Sequence, residues 1–301
     1  MRENVMGLTV VLPDGTVIET GSRAKKSAAG YDLTRLYVGS EGTLGIITEV
    51  QLRLFGIPQE TSVAVCQYPT LEAALNTVIS SIQTCIPVAR IELLDEVQMD
   101  ACIKYSKLTG YSVSPTLFFE FHGTEKSVIE QAEMVRTISD DFGGRAFDWA
   151  TKVEERNKLW QARHDAYYAS LALEPGKKAI TTDACVPISR LADCITETRS
   201  DIKRYNLTVP IVSHAGDGNF HLIILYDPNA TNEESAAHAI NNRLIQRTLA
   251  MGGTCTGEHG VGLGKIPHLV DEHGEGLAVM RSIKHALDPK NIMNPGKILD
   301  T

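Results

Sequence analysis

Two short segments carry side chains of the kind that bind metal ions and move protons. In Ser213-His214-Ala215-Gly216-Asp217-Gly218-Asn219-Phe220-His221, two histidines stand on either side of a Gly/Asp/Asn turn. Apolar runs flank the turn, so the segment predicts a hairpin with both imidazoles at one end of a sheet. Rigidly held neutral imidazoles are what a zinc- or manganese-class ion takes as ligands. By itself the pair also fits a polar hairpin with one packed histidine, because short metal patterns carry a real false-positive rate. In the second segment, Gly253-Thr254-Cys255-Thr256-Gly257-Glu258-His259-Gly260, glycines on both sides of Glu258-His259 let the backbone come close to a ligand. Glu258 can supply a third, anionic ligand. Adjacent side chains diverge, so His259 is better placed as a nearby base than as another ligand. Two histidines and a carboxylate leave coordination positions open for substrate. The competing reading, a helix-ending glycine stop with exposed charges, is weakened by the two segments occurring together.

Three further segments are weaker alone. Ser40-Glu41-Gly42-Thr43-Leu44-Gly45 is rich in glycine and small hydroxyls and can bring backbone N–H groups to a phosphate or flavin ring, although an ordinary loop has the same composition. Arg163, in the helical stretch Trp160-Gln161-Ala162-Arg163, can clamp a carboxylate bidentately, although a lone helical arginine is usually a solvated surface group. Asn294-Pro295-Gly296-Lys297 reads locally as a C-terminal turn. Gly260-x-Gly262-x-Gly264-Lys265 is no phosphate loop: its spacing fits neither G-x-G-x-x-G nor G-x-x-x-x-G-K-[ST], and no strand feeds straight into it.

Elements must hold these groups. Leu8–Leu12 and Val17–Thr20 read as strands joined by Pro13-Asp14-Gly15, where proline presets φ and glycine supplies permissive backbone. Ile46–Leu54 reads as a long strand, and Gly56-Ile57-Pro58 as the end of a first domain. Beyond it, Ser62–Gln67, Arg90–Leu94 and Thr116–His122 read as strands. Thr70 caps a predicted helix whose apolar face is Leu71, Ala74, Leu75, Val78, Ile79 and Ile82. A second predicted helix, Glu125 to Phe142, carries Val128, Ala132, Val135 and Ile138 on one face. Ser189 is the expected cap of a helix through Leu191, Ile195 and Ile202. Thr231 and Glu234 are the expected capping box of a helix reaching Ala250, ended by Gly252-Gly253. Strands and helices in this order predict an antiparallel sheet with helices on one face, a ferredoxin-like arrangement.

The bulk numbers agree with a folded enzyme. Of 301 residues, 43% are hydrophobic and 22% charged, enough for a core and too apolar for a disordered chain. A net charge of −8 repels polyanions, so nucleic acid is not an expected partner. Six scattered cysteines without a C-x-x-C pair read as reduced core residues. No apolar run approaches the ~18 residues of a membrane span, and no targeting segment precedes the first strand. The chain is therefore expected to begin inside folded structure.

Taken together, the segments resemble one family. Val38-Gly39-Ser40-Glu41-Gly42-Thr43-Leu44-Gly45, Gly216-Asp217-Gly218-Asn219-Phe220-His221, Thr256-Gly257-Glu258-His259-Gly260 and Asn294-Pro295-Gly296-Lys297 are similar to the FAD-linked oxidases of the vanillyl-alcohol-oxidase and glycolate-oxidase-D type. Lys26-Ser27-Ala28-Ala29-Gly30-Tyr31 and Pro87-Val88-Ala89-Arg90-Ile91-Glu92 resemble in particular the members that oxidise D-lactate in mitochondria. The resemblance runs from Met1 to Lys297. It implies an α+β chain with part of an FAD-binding (PCMH-type) domain over residues 1–56. A ferredoxin-like cap domain with the substrate site follows over 57–285, and a C-terminal return to the FAD domain over 286–301. It implies that Ser40, Glu41, Gly42, Thr43, Gly45 and Ile46 line the FAD and that Asn294 returns to it. His214, His221 and Glu258 would hold a divalent metal, zinc or manganese, with His259 as the base and Arg163 as the clamp on a substrate carboxylate.

The activity so implied is oxidation of a small D-2-hydroxy acid, D-lactate foremost, to the 2-oxo acid. Metal-assisted deprotonation and hydride transfer to the flavin would accomplish it, with cytochrome c or an electron-transfer protein as acceptor in the mitochondrion. Family members acting on dicarboxylic hydroxy acids carry a lysine where Thr181 stands, ahead of Asp183-Ala184-Cys185-Val186-Pro187, and its absence favours lactate over 2-hydroxyglutarate. The family's first FAD subdomain is expected to precede Met1, so the chain reads as N-terminally short, with strands that would pair with that subdomain left as exposed edges. Two other readings stay open at this point: a metal-dependent hydrolase built on the same ligands, and a non-catalytic product that folds its cap domain without FAD.

Overall fold

The computed structural model describes residues 2–150 and 152–300. They fall into two compact units, Met1–Ile57 with Glu258–Thr301, and Pro58–Gly257. In the first unit, β1 (Val5–Val11) lies between β2 (Val17–Glu19) and, after the short helix α1 (Leu33–Tyr37), β3 (Ile46–Leu52); both pairings are antiparallel. The expected hairpin turn forms, with the Asp14 carboxylate accepting the Thr16 N–H at 2.9 Å and Gly15 at φ +86°. Asp32 caps α1 by accepting the Arg35 N–H. Leu8, Val10, Tyr37 and Leu44 form a small core, while Ile46, Val50 and Leu52 of β3 remain exposed.

The second unit runs β4 (Glu60–Gln67), α2 (Leu71–Gln83), β5 (Val88–Leu94), α3 (Glu96–Ser106), β6 (Thr116–Gly123), α4 (Glu125–Asp141), β7 (Arg145–Ala150), α5 (Val153–His164), α6 (Ala166–Leu173), β8 (Lys178–Thr181), β9 (Ala184–Cys185), α7 (Leu191–Ile202), β10 (Ile211–His214), β11 (Asn219–Tyr226) and α8 (Thr231–Ala250). One antiparallel sheet takes the order β7-β4-β6-β5-β10-β11-β8, with β9 also on β11. The first four strands, counted from β4, stand in the order 4-1-3-2, the split βαβ pattern expected of a ferredoxin-like unit.

Helices cover both faces of this sheet, not one. Alternation along the strands shows why: Ala64, Cys66, Phe119, Phe121, Leu222 and Ile224 join a core with α2, α4, α7 and α8, whereas Val63, Val65, Phe118, Ile223 and Leu225 join a second core with Met99 of α3, Trp160 of α5 and Ala169 of α6. A strand buried on both faces carries apolar residues at successive positions, as Leu222, Ile223, Ile224 and Leu225 do in β11, which is buried at every residue.

Two expected caps are replaced. Ser189 lies in a 3-10 turn, Ile188–Arg190, which Pro187 opens and which delivers Leu191 into the core; α7 has no side-chain cap. Thr231 and Glu234 form no capping box: Glu233 accepts from the Asp227 N–H and Lys177 Nζ, and the Glu233 and Glu234 N–H groups go to Ala230 O.

The chain then returns to the first unit with α9 (Leu269–His273) and α10 (Gly276–Leu287). This second break falls after Gly257, ahead of the expected one at 285. Two attachments explain the early return: Glu41 accepts the N–H groups of Val261 and Gly262, and Ile283 and Leu287 of α10 pack on the small core.

Candidate active site

The hairpin β10–β11 supplies the two histidines. Register pairs Val212 with His221, His214 with Asn219, and Val212 with Leu94 of β5. Directly paired residues share a sheet face, so His214, Asn219, His221 and the acidic Glu92 of β5 all project to the face covered by α3, α5 and α6. A 3-10 turn, Ala215–Asp217, and Gly218 at φ +76° close the hairpin. A Cβ on Gly218 would stand 2.2 Å from Val186 O, so the close approach to the 184–186 segment admits only glycine.

The imidazole rings lie 5.7 Å apart at 87°. Each Nδ1 meets an acceptor: Glu92 Oε1 at 2.8 Å for His214, and the carbonyl of Thr182 at 2.9 Å for His221. A carbonyl only accepts, so His221 carries its proton on Nδ1, and its Nε2 keeps a lone pair when the ring is neutral. Ionised Glu92 imposes the same tautomer on His214. This is the arrangement in which histidines ligate metals. On the same face, the Oδ1 of buried Asn219 has no hydrogen-bond partner among the described residues. Two imidazole donors beside a spare amide oxygen fit a divalent cation.

Glu92 is shared. Its Oε2 accepts from Arg163 Nε at 3.0 Å and Nη2 at 2.8 Å. Burial would raise its carboxyl, but the His214 hydrogen bond and the Arg163 guanidinium outweigh that and hold it below the ordinary glutamate value. Arg163 is thus no solvated surface group, and it lies on the face that carries the histidines.

The segment before Glu258 is laid along this hairpin. Cys185 and Thr254 form an antiparallel bridge, and Thr256 Oγ1 donates to Asp183 Oδ2 at 2.7 Å. Asp183 Oδ1 stands 3.9 Å from His221 Nδ1. A Cβ on Gly257 would be 2.7 Å from the Asn219 amide. Glu258 is the next residue in the chain, so its Cα is one trans peptide, about 3.8 Å, further on. Glu258 and His259 open the return to the first unit; Nε2 of His259 stands 3.7 Å from Oε1 of Glu258, and both side chains are partly exposed.

Within the first unit, the Ser40–Gly45 loop is tied to the C-terminal segment at three points. The Glu41 carboxylate accepts the N–H groups of Val261 (2.6 Å) and Gly262 (2.9 Å), and the Asn294 amide donates to Glu41 O. Buried Lys284 donates to Thr43 O, Met293 O and Asp288. Buried Ser40 Oγ has no partner among the described residues, a free polar group of the kind a cofactor would engage. Gly45 answers first to packing: a Cβ there would stand 2.7 Å from Val10 Cγ1 and 3.0 Å from Val11 O. Ile46, which follows it, opens β3 and is exposed.

Glu92, Thr182 and Asp183 were missed as functional residues from sequence. A signal for Glu92 was present, since a carboxylate inside the apolar run Ile91-Glu92-Leu93-Leu94 must be paired if the strand is buried. Thr182 acts through its carbonyl, which no side-chain pattern encodes.

A family described as FAD linked oxidases, C-terminal domain, matches residues 57–298. The chain is 52% identical over 304 residues to a probable mitochondrial D-lactate dehydrogenase of Danio rerio, covering 100% of this chain and 61% of that protein. It is 47% identical to the mitochondrial D-lactate dehydrogenase (cytochrome) of Arabidopsis thaliana, covering 99% of this chain and 53% of that one. The chain therefore spans between about half and three-fifths of the length of these relatives. The crystal structure of p-cresol methylhydroxylase with substrate bound superposes with a TM-score of 0.72 over 98% of this chain and 65% of that one, at 17% identity, a likeness of fold alone.

Proposed function

The chain belongs to the FAD-linked oxidases, and from that premise we propose that it carries the substrate site of a flavin-dependent dehydrogenase acting on a small D-2-hydroxy acid, D-lactate foremost. The observation that carries the reading is the histidine pair, with both Nδ1 atoms committed to acceptors, so that each neutral ring carries its lone pair on Nε2. The names of the relatives support D-lactate as substrate, a cytochrome-class electron acceptor and a mitochondrial setting.

In this reading His214, His221 and Glu258 hold a divalent cation, zinc or manganese. Ser40, Glu41, Gly42, Thr43, Gly45, Ile46 and Asn294 face the FAD. When bound, FAD supplies the two-electron acceptor that no side chain offers. When bound, the cation supplies the positive charge that makes a neighbouring hydroxyl easier to deprotonate. The chain's own groups do the rest. Arg163 holds the substrate carboxylate through its guanidinium and so selects which face of C2 reacts. His259 takes the 2-hydroxyl proton on Nε2, where the Glu258 carboxylate at 3.7 Å stabilises the imidazolium. Histidine suits the task because its ordinary titration lies near neutral pH.

The test is an anaerobic visible spectrum of the FAD-loaded protein. The flavin band is expected to bleach with D-lactate and to persist with L-lactate. Persistence with every D-2-hydroxy acid offered would sink the reading, and metal-dependent ester hydrolysis without flavin would put a hydrolase in its place.

A further inference from the structure

The contact chain Arg163–Glu92–His214 lies wholly inside residues 58–257 and is built to set positions. Glu92 is only 4% exposed, and its two oxygens are divided between its neighbours: Oε1 to His214 Nδ1, Oε2 to Arg163 Nε and Nη2. A carboxylate so placed can only accept, so His214 must bring its proton on Nδ1 and present Nε2 as the lone-pair atom. The same carboxylate pins a long, otherwise flexible arginine by two of its nitrogens, and Nη1 takes part in neither bond.

We propose that Glu92 is a positioning residue with two outputs: it locks His214 in the Nδ1–H tautomer that leaves Nε2 to a cation, and it fixes Arg163 with Nη1 turned over to a substrate carboxylate. The proposal rests on the reading of His214 as a metal ligand and Arg163 as the clamp. Acidic partners of ligating histidines typically govern metal affinity by 10- to 100-fold, and an arginine tethered in advance loses less freedom when substrate arrives.

Glu92→Gln keeps the volume of the side chain but offers one acceptor oxygen where two stood. The Arg163 cation takes that carbonyl and turns the amide NH2 toward His214, whose Nδ1 must then accept, moving the ring proton to Nε2. Two-bond 1H–15N imidazole spectra of the metal-free protein labelled with 15N-histidine read this directly, with the His214 signals assigned by their loss in His214→Gln. The expected result is Nδ1–H in the parent and Nε2–H in Glu92→Gln, together with a roughly 10- to 100-fold weaker affinity for Zn2+ by chelator competition. In the double variant Glu92→Gln/Arg163→Met the carbonyl returns to His214, so Nδ1–H and most of the Zn2+ affinity are expected back. A residue acting through packing alone would not be rescued by a second truncation. An unchanged tautomer and Zn2+ affinity in Glu92→Gln would overturn the proposal, as would failure of the rescue in a folded double variant. If the parent binds neither Zn2+ nor Mn2+, the metal reading fails, while the tautomer spectra still decide whether Glu92 sets His214.

Discussion

In the proposed reading, single residues carry distinct and separable duties. His259 is assigned the proton transfer, and general-base groups contribute about 10²- to 10⁴-fold to rate. His259→Ala in the FAD-loaded protein is therefore expected to lower kcat by that order while Zn2+ affinity stays within a few-fold, because His259 is not among the assigned ligands. Steady-state rates beside a chelator titration check both halves; loss of metal with retention of kcat would reverse the roles of His259 and its neighbours. In the same reading, Thr181 bears on specificity. It pairs with Ile223 across β8–β11 and so shares the sheet face of His221, two residues before Ile223. Thr181→Lys places a cation on that face, and kcat/KM for D-2-hydroxyglutarate relative to D-lactate is expected to rise tenfold or more, on the order of 1.4 kcal/mol. An unchanged ratio would remove Thr181 from the determinants of substrate size.

At the scale of elements, the hairpin and the C-terminal clasp are the parts on which the site depends. Gly218 combines φ +76° with a neighbour that any Cβ would strike, Val186 O at 2.2 Å. Gly218→Ala is expected to cost roughly 2 kcal/mol or more and to weaken Zn2+ binding in proportion to the displacement of His214, measured by denaturant unfolding and chelator competition on the same protein. The clasp is Lys284 on α10, buried with Asp288. Burial raises the Asp288 carboxyl, yet the Lys284 ammonium and the N–H groups of Met293 and Ile292 outweigh it and leave it below the ordinary aspartate value. A depressed folded value means this contribution is complete above about pH 4, the unfolded range, and is lost as pH falls through the folded value. Lys284→Met strands the carboxylate, with a cost on the order of 3 kcal/mol above about pH 4. It also removes the ammonium that depresses it, so the variant's melting temperature is expected to fall most at neutral pH and to approach the parent's as pH drops. A melting-temperature gap that stays the same at every pH would show that the ion pair contributes nothing to the acid limb.

These elements also show what the sequence could disclose. The helix Leu71–Gln83, capped by Thr70, and the strand Thr116–Gly123 were legible because capping and periodicity are local. The helix α5 was weakly marked because VEERNKLWQARH mixes charge around its whole circumference. The Glu92–His214 contact depends on β5 meeting β10 in one register, a long-range fact no window contains. Gly45 reads as a cofactor glycine, yet the packing against Val10 that requires it appears only in the folded first unit.

Across the whole molecule, the two units are unequally built. The second holds two large buried cores, one on each face of its sheet, whereas the first has a cluster of four buried apolar side chains beside its three-stranded sheet. Apolar burial is the main favourable term in folding, so the first unit is the marginal one. It also exposes Ile46, Val50, Leu52, Leu54, Phe55 and Ile57 along and beyond β3. The loop assigned to FAD, Ser40–Gly45, and its partner Asn294 belong to this same unit. A ligand stabilises what it binds by RT ln(1 + [L]/Kd), about 2.7 kcal/mol at a hundredfold excess over Kd. Calorimetric unfolding is therefore expected to resolve a lower transition that FAD raises and an upper one that FAD leaves in place. FAD raising the upper transition alone would move the cofactor off the Ser40–Gly45 loop and onto residues 58–257.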